Sequence, residues 1–276
     1  MPDQAISDNV PAKRQRPGLL EILAVQGRVI LAIFLRETRT RFGSSMIGYS
    51  WAILEPVFNI AIWVLFFHAL GRHPPLNVHV VEFLITGVLP IFLFRDITTY
   101  LAAAITANRA LLKFPIVHNY DVMLARALLE LTNFFTLFFL AMAVFFAFDL
   151  QYWPARPLEF LTVVCALWLY SFGIGSINAV MSCIFSSWAK TVPWYNRVVY
   201  MTSGIFFVPE FLPPFVQEVL WYLPMAHIVD WMRQATFSQY HSKMLSQEFV
   251  WGCAMAALFT GLALERAFRR KISIEQ

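Results

Sequence analysis

The sequence predicts an all-α polytopic membrane protein with six transmembrane helices, an N-terminal amphipathic interface helix, and short re-entrant helices between spans five and six. Composition is the first reason. Of 276 residues, 59% are hydrophobic and 14% charged, and the mean hydropathy is +0.60, outside the range of soluble globular chains. Length is the second, because spans of about 20 residues each fill the chain and leave no room for a sizeable soluble domain. The third is where positive charge falls. Lys and Arg gather ahead of the first span, in the second-to-third and fourth-to-fifth connections, and in the tail; Arg72, Arg156, Arg233 and Lys243 stand on the other side. By the positive-inside rule both termini are expected in the cytoplasm.

Residues 1–17 are polar, carry Lys13, Arg14 and Arg16, and lead into no apolar core of the kind a cleaved signal needs; a disordered cytoplasmic arm is expected. Residues 18–42 carry too many charges to span and too many apolar side chains to be a linker. At 100° per residue Glu21, Arg28 and Arg39 fall within about 20° of one another and Arg36 lies about 80° away. Leu20, Leu23, Ile30, Ile33 and Phe34 occupy other faces. A helix with that division lies in the headgroup plane, where Arg meets lipid phosphate. Simple anchoring explains it; a sharper reading has its arginines also receive an anionic, lipid-linked substrate.

The remainder, 43–276, forms one membrane domain. Its expected spans are Trp51 to Leu70, Phe83 to Ala107, Val122 to Phe148, Phe160 to Ser186, Val198 to Val208 and Phe249 to Phe268. Arg95 and Asp96 lie well inside the second. Each costs about 2.5–3.5 kcal/mol at mid-bilayer on insertion scales, so they either pair with neighbouring helices or line a polar conduit. Arg126 and Glu130 have the i,i+4 spacing of an ordinary helix-surface pair. In the fourth span Ser171, Gly175, Ala179 and Cys183 make a small-residue stripe suited to close helix contact, within the subunit or between subunits.

After the fifth span Pro209, Pro213, Pro214 and Pro224 punctuate two apolar pieces, Phe215 to Leu223 and Met225 to Tyr240, each too short to cross. They fit helices dipping in from the outer face, or a hairpin resting on it. Most aromatic residues sit near span ends as an interface belt. Phe206, Phe207, Phe211, Trp221 and Tyr222 are placed to meet sugar rings near an exit.

No phosphate loop, His-Glu-x-x-His or Ser, His and Asp set is present, and the six histidines near span ends need no metal or catalytic role. Cys165, Cys183 and Cys253 lie in apolar stretches and suggest neither disulfide nor zinc. An enzyme is disfavoured, no nucleic-acid partner is expected, and a lone secondary transporter or channel would call for more intramembrane charge. One polar interruption stands out: Asn108-Arg109-Ala110-Leu111-Leu112-Lys113-Phe114-Pro115, on the basic side between spans two and three. Leu111, Leu112 and Phe114 offer an apolar knob, Arg109 and Lys113 a charged rim, and Pro115 a stop.

The run Arg39 to Pro56, with Arg39-Thr40-Arg41-Phe42-Gly43 leading to Trp51-Ala52-Ile53-Leu54-Glu55-Pro56, resembles the approach to the first span in polysaccharide-export permeases of ATP-binding-cassette transporters. Asn108 to Pro115, and Ser203-Gly204-Ile205-Phe206-Phe207 ahead of Leu212-Pro213-Pro214, are similar to the same family, and the capsular branch looks closest. That resemblance implies a permease half in a bacterial inner membrane that pairs with a second copy of itself and with two copies of a nucleotide-binding ATPase. ATP and Mg would sit on the ATPase, with no cofactor in this chain. The resemblance makes Asn108 to Pro115 the coupling helix that enters a cleft of the ATPase, and a lipid-linked anionic polysaccharide the cargo. A periplasmic adaptor, an outer-membrane export protein and membrane lipids would complete the surroundings. Arg28, Arg36, Arg39 and Arg41 are then candidates for the substrate entrance, and Arg95, Asp96, Phe206, Phe207, Trp221 and Tyr222 for the pathway; export of O-antigen or teichoic acid is the nearest rival.

Overall fold

The computed structural model describes residues 18–42, 46–71, 73–76, 78–147 and 153–274. The expected disordered arm, 1–17, lies outside the described residues. The rest is helical, with no strand among the described residues: a polytopic all-α membrane protein. Helix α1 covers Leu19–Phe42, α2 Met46–Ala69 and α3 Val80–Ala102; two single turns follow, α4 (Ala104–Ala107) and α5 (Arg109–Leu112). Then come α6 (Asn119–Ala147), α7 (Pro157–Ile184), α8 (Trp188–Thr202), α9 (Pro214–Trp221), α10 (Pro224–Thr236) and α11 (Gln247–Ile274). Among these, α6, α7 and the stretch Gln247–Arg269 of α11 are long and apolar enough to cross a bilayer, and Ile53–Ala69 is a shorter apolar run.

The core is built around α3. Its residues from Phe83 to Phe94, with Ile97, Thr98, Leu101 and Ala102, are all buried, because α6, α7, α10, α2 and α8 each pack on it. A helix hydrophobic all round belongs in such a position. Helices α7 and α11 lie closest to each other. A Cβ on Gly173 would come 2.5 Å from the Leu258 nitrogen, and one on Gly261 2.8 Å from the Ser176 Cβ. Backbones approach this closely only where side chains are absent. The predicted stripe does a different part of the same job: Gly175 faces α3, where a Cβ would meet Leu101 at 2.8 Å, and Ser171 and Ala179 are buried. Within the subunit Gly175 thus lets α7 pack closely on α3.

No single helix covers the fifth expected span, Val198 to Val208. Helix α8 starts ten residues earlier, at Trp188, and ends at Thr202. Gly204 then takes φ +85°, the left-handed conformation that ends helices and favours glycine. The apolar run that follows is non-helical up to the single 3-10 turn Pro209–Phe211. Periodicity could not show this, since Ile205 to Val208 is as apolar as a helix core. Proline at N1 opens both α9 and α10, where its missing N–H costs nothing. These two differ sharply: α10 is buried over nearly its whole length against α3, α7 and α11, whereas α9 exposes Phe215, Val219 and Tyr222 on one side.

Helix α1 has three faces. Gln26, Ile30, Ile33, Phe34 and Glu37 turn toward the protein, chiefly α6. Leu20, Leu31 and Leu35 form an exposed apolar stripe, and Arg28 and Arg39 lie on an exposed polar one.

Candidate functional site

Three polar assemblies stand out in this apolar chain, and the first joins α1 to the segment Asn108 to Pro115. Asn108 is buried between α4 and α5. Its side-chain amide donates to Glu37 Oε1 at 3.1 Å and to the Ala104 carbonyl at 3.0 Å, and Arg36 donates to its side-chain oxygen. Glu37 also accepts from Arg126 of α6 at 3.2 Å and from Arg36 at 3.1 Å. Burial pushes the Glu37 carboxyl up, but Arg126, Asn108 and Arg36 together outweigh it and hold it below the ordinary carboxylate value. Further along α1, Gln26 bonds Asp121 of α6.

Beyond Asn108 the chain turns outward. Leu111 and Leu112 are half-buried against the core, while Phe114 and Ile116 are 61% and 57% exposed. Arg109, Lys113 and Pro115 are exposed around them. Of the three side chains expected as an apolar knob, Phe114 projects, with Ile116 beside it, and Leu111 and Leu112 are half-buried against the core. The alternation of apolar residues hid this, because both ends of the run look alike in sequence.

The second assembly centres on Arg41. It pairs with Glu130 of α6 and lies over the Tyr100 ring at 3.6 Å, and Glu130 also accepts from Asn133 at 3.2 Å. The expected Arg126–Glu130 pair is not formed. Arg126 reaches Glu37 and the Tyr100 carbonyl instead, because α1 brings a carboxylate and a guanidinium onto α6 that local spacing could not reveal. Of the four expected entrance arginines, then, Arg36 and Arg41 are held in the protein's own network. Arg28 and Arg39 are exposed, with no ion pair among the described residues.

The third assembly is a polar seam where α2, α3 and α8 meet, around a cavity of about 440 Å³. Arg95 bonds Glu55 at 2.7 Å and Asp96 at 2.8 Å. Asn196 donates to Thr99 at 3.0 Å, and Tyr200 bridges Asn59 at 3.1 Å and Trp63 at 2.8 Å. Arg95 pairs with Glu55 of a neighbouring helix and with Asp96 of its own, and both Arg95 and Asp96 lie on the lining of this cavity. Glu55, Asn59 and Trp63 recur every four residues on α2, as do Asn196 and Tyr200 on α8. That polar spacing was the signal by which sequence reading could have found the seam.

At the far end of the seam Phe206 is half-buried and packs on Trp63, with ring centroids 3.9 Å apart. Phe207 offers its carbonyl oxygen to Arg233 at 2.9 Å, as does Ile205. Arg233, counted with the charges of the opposite face, is fully buried and also covers the Phe83 ring at 4.0 Å. The non-helical segment after Gly204 has carbonyls to satisfy in the core, and a buried guanidinium with five donors meets that need. Trp221 stacks on Phe249 at 5.2 Å and meets Tyr222 edge-on at 5.4 Å, with Tyr222 71% exposed. The structure therefore separates the expected pathway residues: Arg95 and Asp96 line the seam, Phe206 joins its far end, and Trp221 and Tyr222 sit elsewhere, on α9. Among the described residues no cluster of His, Cys, Asp or Glu is placed to hold a metal ion.

Comparison with known proteins adds a relationship to this geometry. The family model described as ABC-2 type transporter matches residues 28–237. The chain is 32% identical over 243 residues to the polysialic acid transport protein KpsM of Escherichia coli, covering 88% of this chain and 94% of that one. It is 29% identical over 255 residues to the capsule polysaccharide export inner-membrane protein CtrC of Neisseria meningitidis serogroup B, covering 91% and 95%. A more distant relative, 22% identical over 203 residues, is the O-antigen export system permease protein RfbA of Klebsiella pneumoniae, with 73% and 77% covered.

Proposed function

Because the chain belongs to the ABC-2 type transporter family, we propose that it is the permease half of an ATP-driven exporter that moves lipid-linked capsular polysaccharide from cytoplasm to periplasm. Two copies enclose the pathway, and two copies of a separate ATPase, which carry the ATP and Mg, bind from the cytoplasmic side. The six spans are α2, α3, α6, α7, α8 and α11, with both termini cytoplasmic and α9 and α10 re-entrant from the periplasmic side. A periplasmic adaptor and an outer-membrane protein take the polymer onward.

The observation that carries this reading is the fastening of Asn108 to Arg36 and Glu37. It ties a short exposed segment, suited to a motor's cleft, to the helix that lies at the membrane surface. Displacement of Phe114 and Ile116 by the ATPase is passed through Asn108 to α1, whose exposed Arg28 and Arg39 receive the anionic, lipid-proximal end of the cargo. The polar seam beside Arg41 then continues the route inward. The likeness to capsule exporters is stronger than that to the O-antigen permease, which favours capsule as the cargo.

Phe114→Asp with Ile116→Asp tests the coupling role by co-purification with the partner ATPase. Loss of association with intact membrane insertion is expected, and full association with coupled export would overturn the assignment. The polymer that builds up in the cytoplasm of a deletion strain identifies the cargo; an O-antigen there would replace capsule in this reading.

A further inference from the structure

We infer that Glu265 of α11 is a positioning residue: through Asn119 it fixes the C-terminal end of the segment Arg109 to His118 and so, on the docking role proposed above, sets where Phe114 and Ile116 meet the ATPase. The segment has little of its own to hold its shape. It contains the single turn Arg109–Leu112 and isolated turn bonds, from the Phe114 amide to the Leu111 carbonyl at 3.1 Å and from the Val117 amide to the Phe114 carbonyl at 3.0 Å. Leu111, Leu112 and Val117 rest on the core, but apolar contact is non-directional. Direction is therefore set by the polar bonds at the two ends.

Those ends are built alike. Asn108, just before the segment, donates its side-chain amide to Glu37 of α1 at 3.1 Å; Asn119, just after it, donates to Glu265 Oε1 of α11 at 2.9 Å. Each carboxylate is buried, and each is held by arginine. Glu37 has Arg126 and Arg36. Glu265 takes Arg269 Nε on Oε1 at 3.2 Å and Nη2 on Oε2 at 3.1 Å, a two-point grip that fixes the plane of the carboxylate. The Tyr120 hydroxyl adds a bond to the Leu262 carbonyl at 3.0 Å, and the Asp121 carboxylate accepts from the His118 amide at 2.7 Å. Helix α6 packs chiefly on α1 and α3, and α11 on α7, so the start of α6 meets α11 through these polar bonds. Holding two helices together does not call for a buried carboxylate, since apolar side chains of similar volume serve as well or better. What Glu265 adds is a directional acceptor for the residue that follows the segment.

The test compares the full chain in lipid nanodiscs with two variants. Glu265→Gln keeps the acceptor for Asn119. Asn119→Leu combined with Glu265→Leu removes the bond and leaves neither partner buried and unpaired, while Arg269, 49% exposed, stays solvated. Hydrogen exchange, unfolding temperature and affinity for the partner ATPase are read for each. The double variant is expected to keep its unfolding temperature and its exchange over α7, to exchange about tenfold faster over 109–118, and to bind the ATPase about tenfold more weakly. Glu265→Gln stays within about twofold of the parent chain on both readouts. Unchanged exchange over 109–118 in the double variant, or Glu265→Gln as impaired as the double, overturns the positioning role. So does exchange that rises over the whole chain with a lower unfolding temperature, the mark of a structural role alone. Faster exchange over 109–118 with unchanged affinity confirms the fastening and overturns the docking role given to the segment, so the two failures are told apart.

Discussion

The side-chain amide of Asn108 donates to the Glu37 carboxylate at 3.1 Å, across 71 residues of sequence. Both groups are buried, and Glu37 is shared with Arg126 of α6. Hydrogen bonds to charged groups are the stronger class, worth about 1.5–3 kcal/mol each. The short segment and α1 are therefore fastened to each other and, through Arg126, to α6.

Asn108→Leu preserves size and removes the link. Glu37 keeps Arg126 and Arg36, so the fold should persist, with a loss of about 1.5–3 kcal/mol for each of the two removed bonds to a charged partner. Export measured in reconstituted vesicles is expected to fall about tenfold, an ordinary coupling free energy, while ATP hydrolysis by the associated complex continues. Equal loss of both rates would show that Asn108 serves assembly alone.

A second prediction concerns Arg41 and Glu130. Arg41→Met leaves a buried carboxylate with Asn133 as a remaining partner, which costs about 3–5 kcal/mol for a broken buried pair. Arg41→Met combined with Glu130→Leu removes both charges and should recover most of that loss. Thermal unfolding of the four members of this cycle in detergent checks it; additive losses would mean the pair is not coupled.

The bundle was legible where its signals are local. Apolar runs placed α2, α3, α6, α7 and α11, and the prolines at 214 and 224 placed the starts of α9 and α10. Polar partners were not, because they are set by which helices become neighbours. Arg126 and Glu130 had the spacing of a pair, yet each found a partner on α1. Arg233 is buried because the break at Gly204 leaves carbonyls that it satisfies in the core, a need no local pattern around Arg233 displays. For the same reason the segment from Asn108 was recognisable as an interruption, while the identity of its exposed side chains was not. Seating Leu111 and Leu112 requires the core beneath them.

Acid should loosen α1 through Glu37. Its carboxyl is held below the ordinary value of 4.5, so in this site the charged form is favoured by folding. A depressed value contributes stability that is fully present above the ordinary carboxylate value and is lost as pH falls through the lowered one. The opening of α1, read from hydrogen exchange after correction for the intrinsic pH dependence of amide exchange, is therefore expected to stay constant down to about pH 5 and to rise below it. Glu37→Gln should flatten that rise; an unchanged acid profile in the variant would assign it to another carboxylate.

Close packing of α7 on α11 gives the sharpest contrast between neighbouring glycines. A Cβ on Gly173 meets backbone, the Leu258 nitrogen at 2.5 Å and the Ala257 carbonyl carbon at 2.6 Å, which cannot swing aside as a flexible side chain can. Gly173→Ala should thus separate the two helices and destabilise by about 1–3 kcal/mol, the range for overpacked sites. Gly252, on α11 itself, has nothing within 4 Å of its would-be Cβ. There Gly252→Ala keeps the packing and gains helix propensity of about 0.5–1 kcal/mol. Unfolding temperatures measured side by side should therefore move in opposite directions from one added methyl group. Movement of both in the same direction would mean that α11 does not seat on α7 through Gly173.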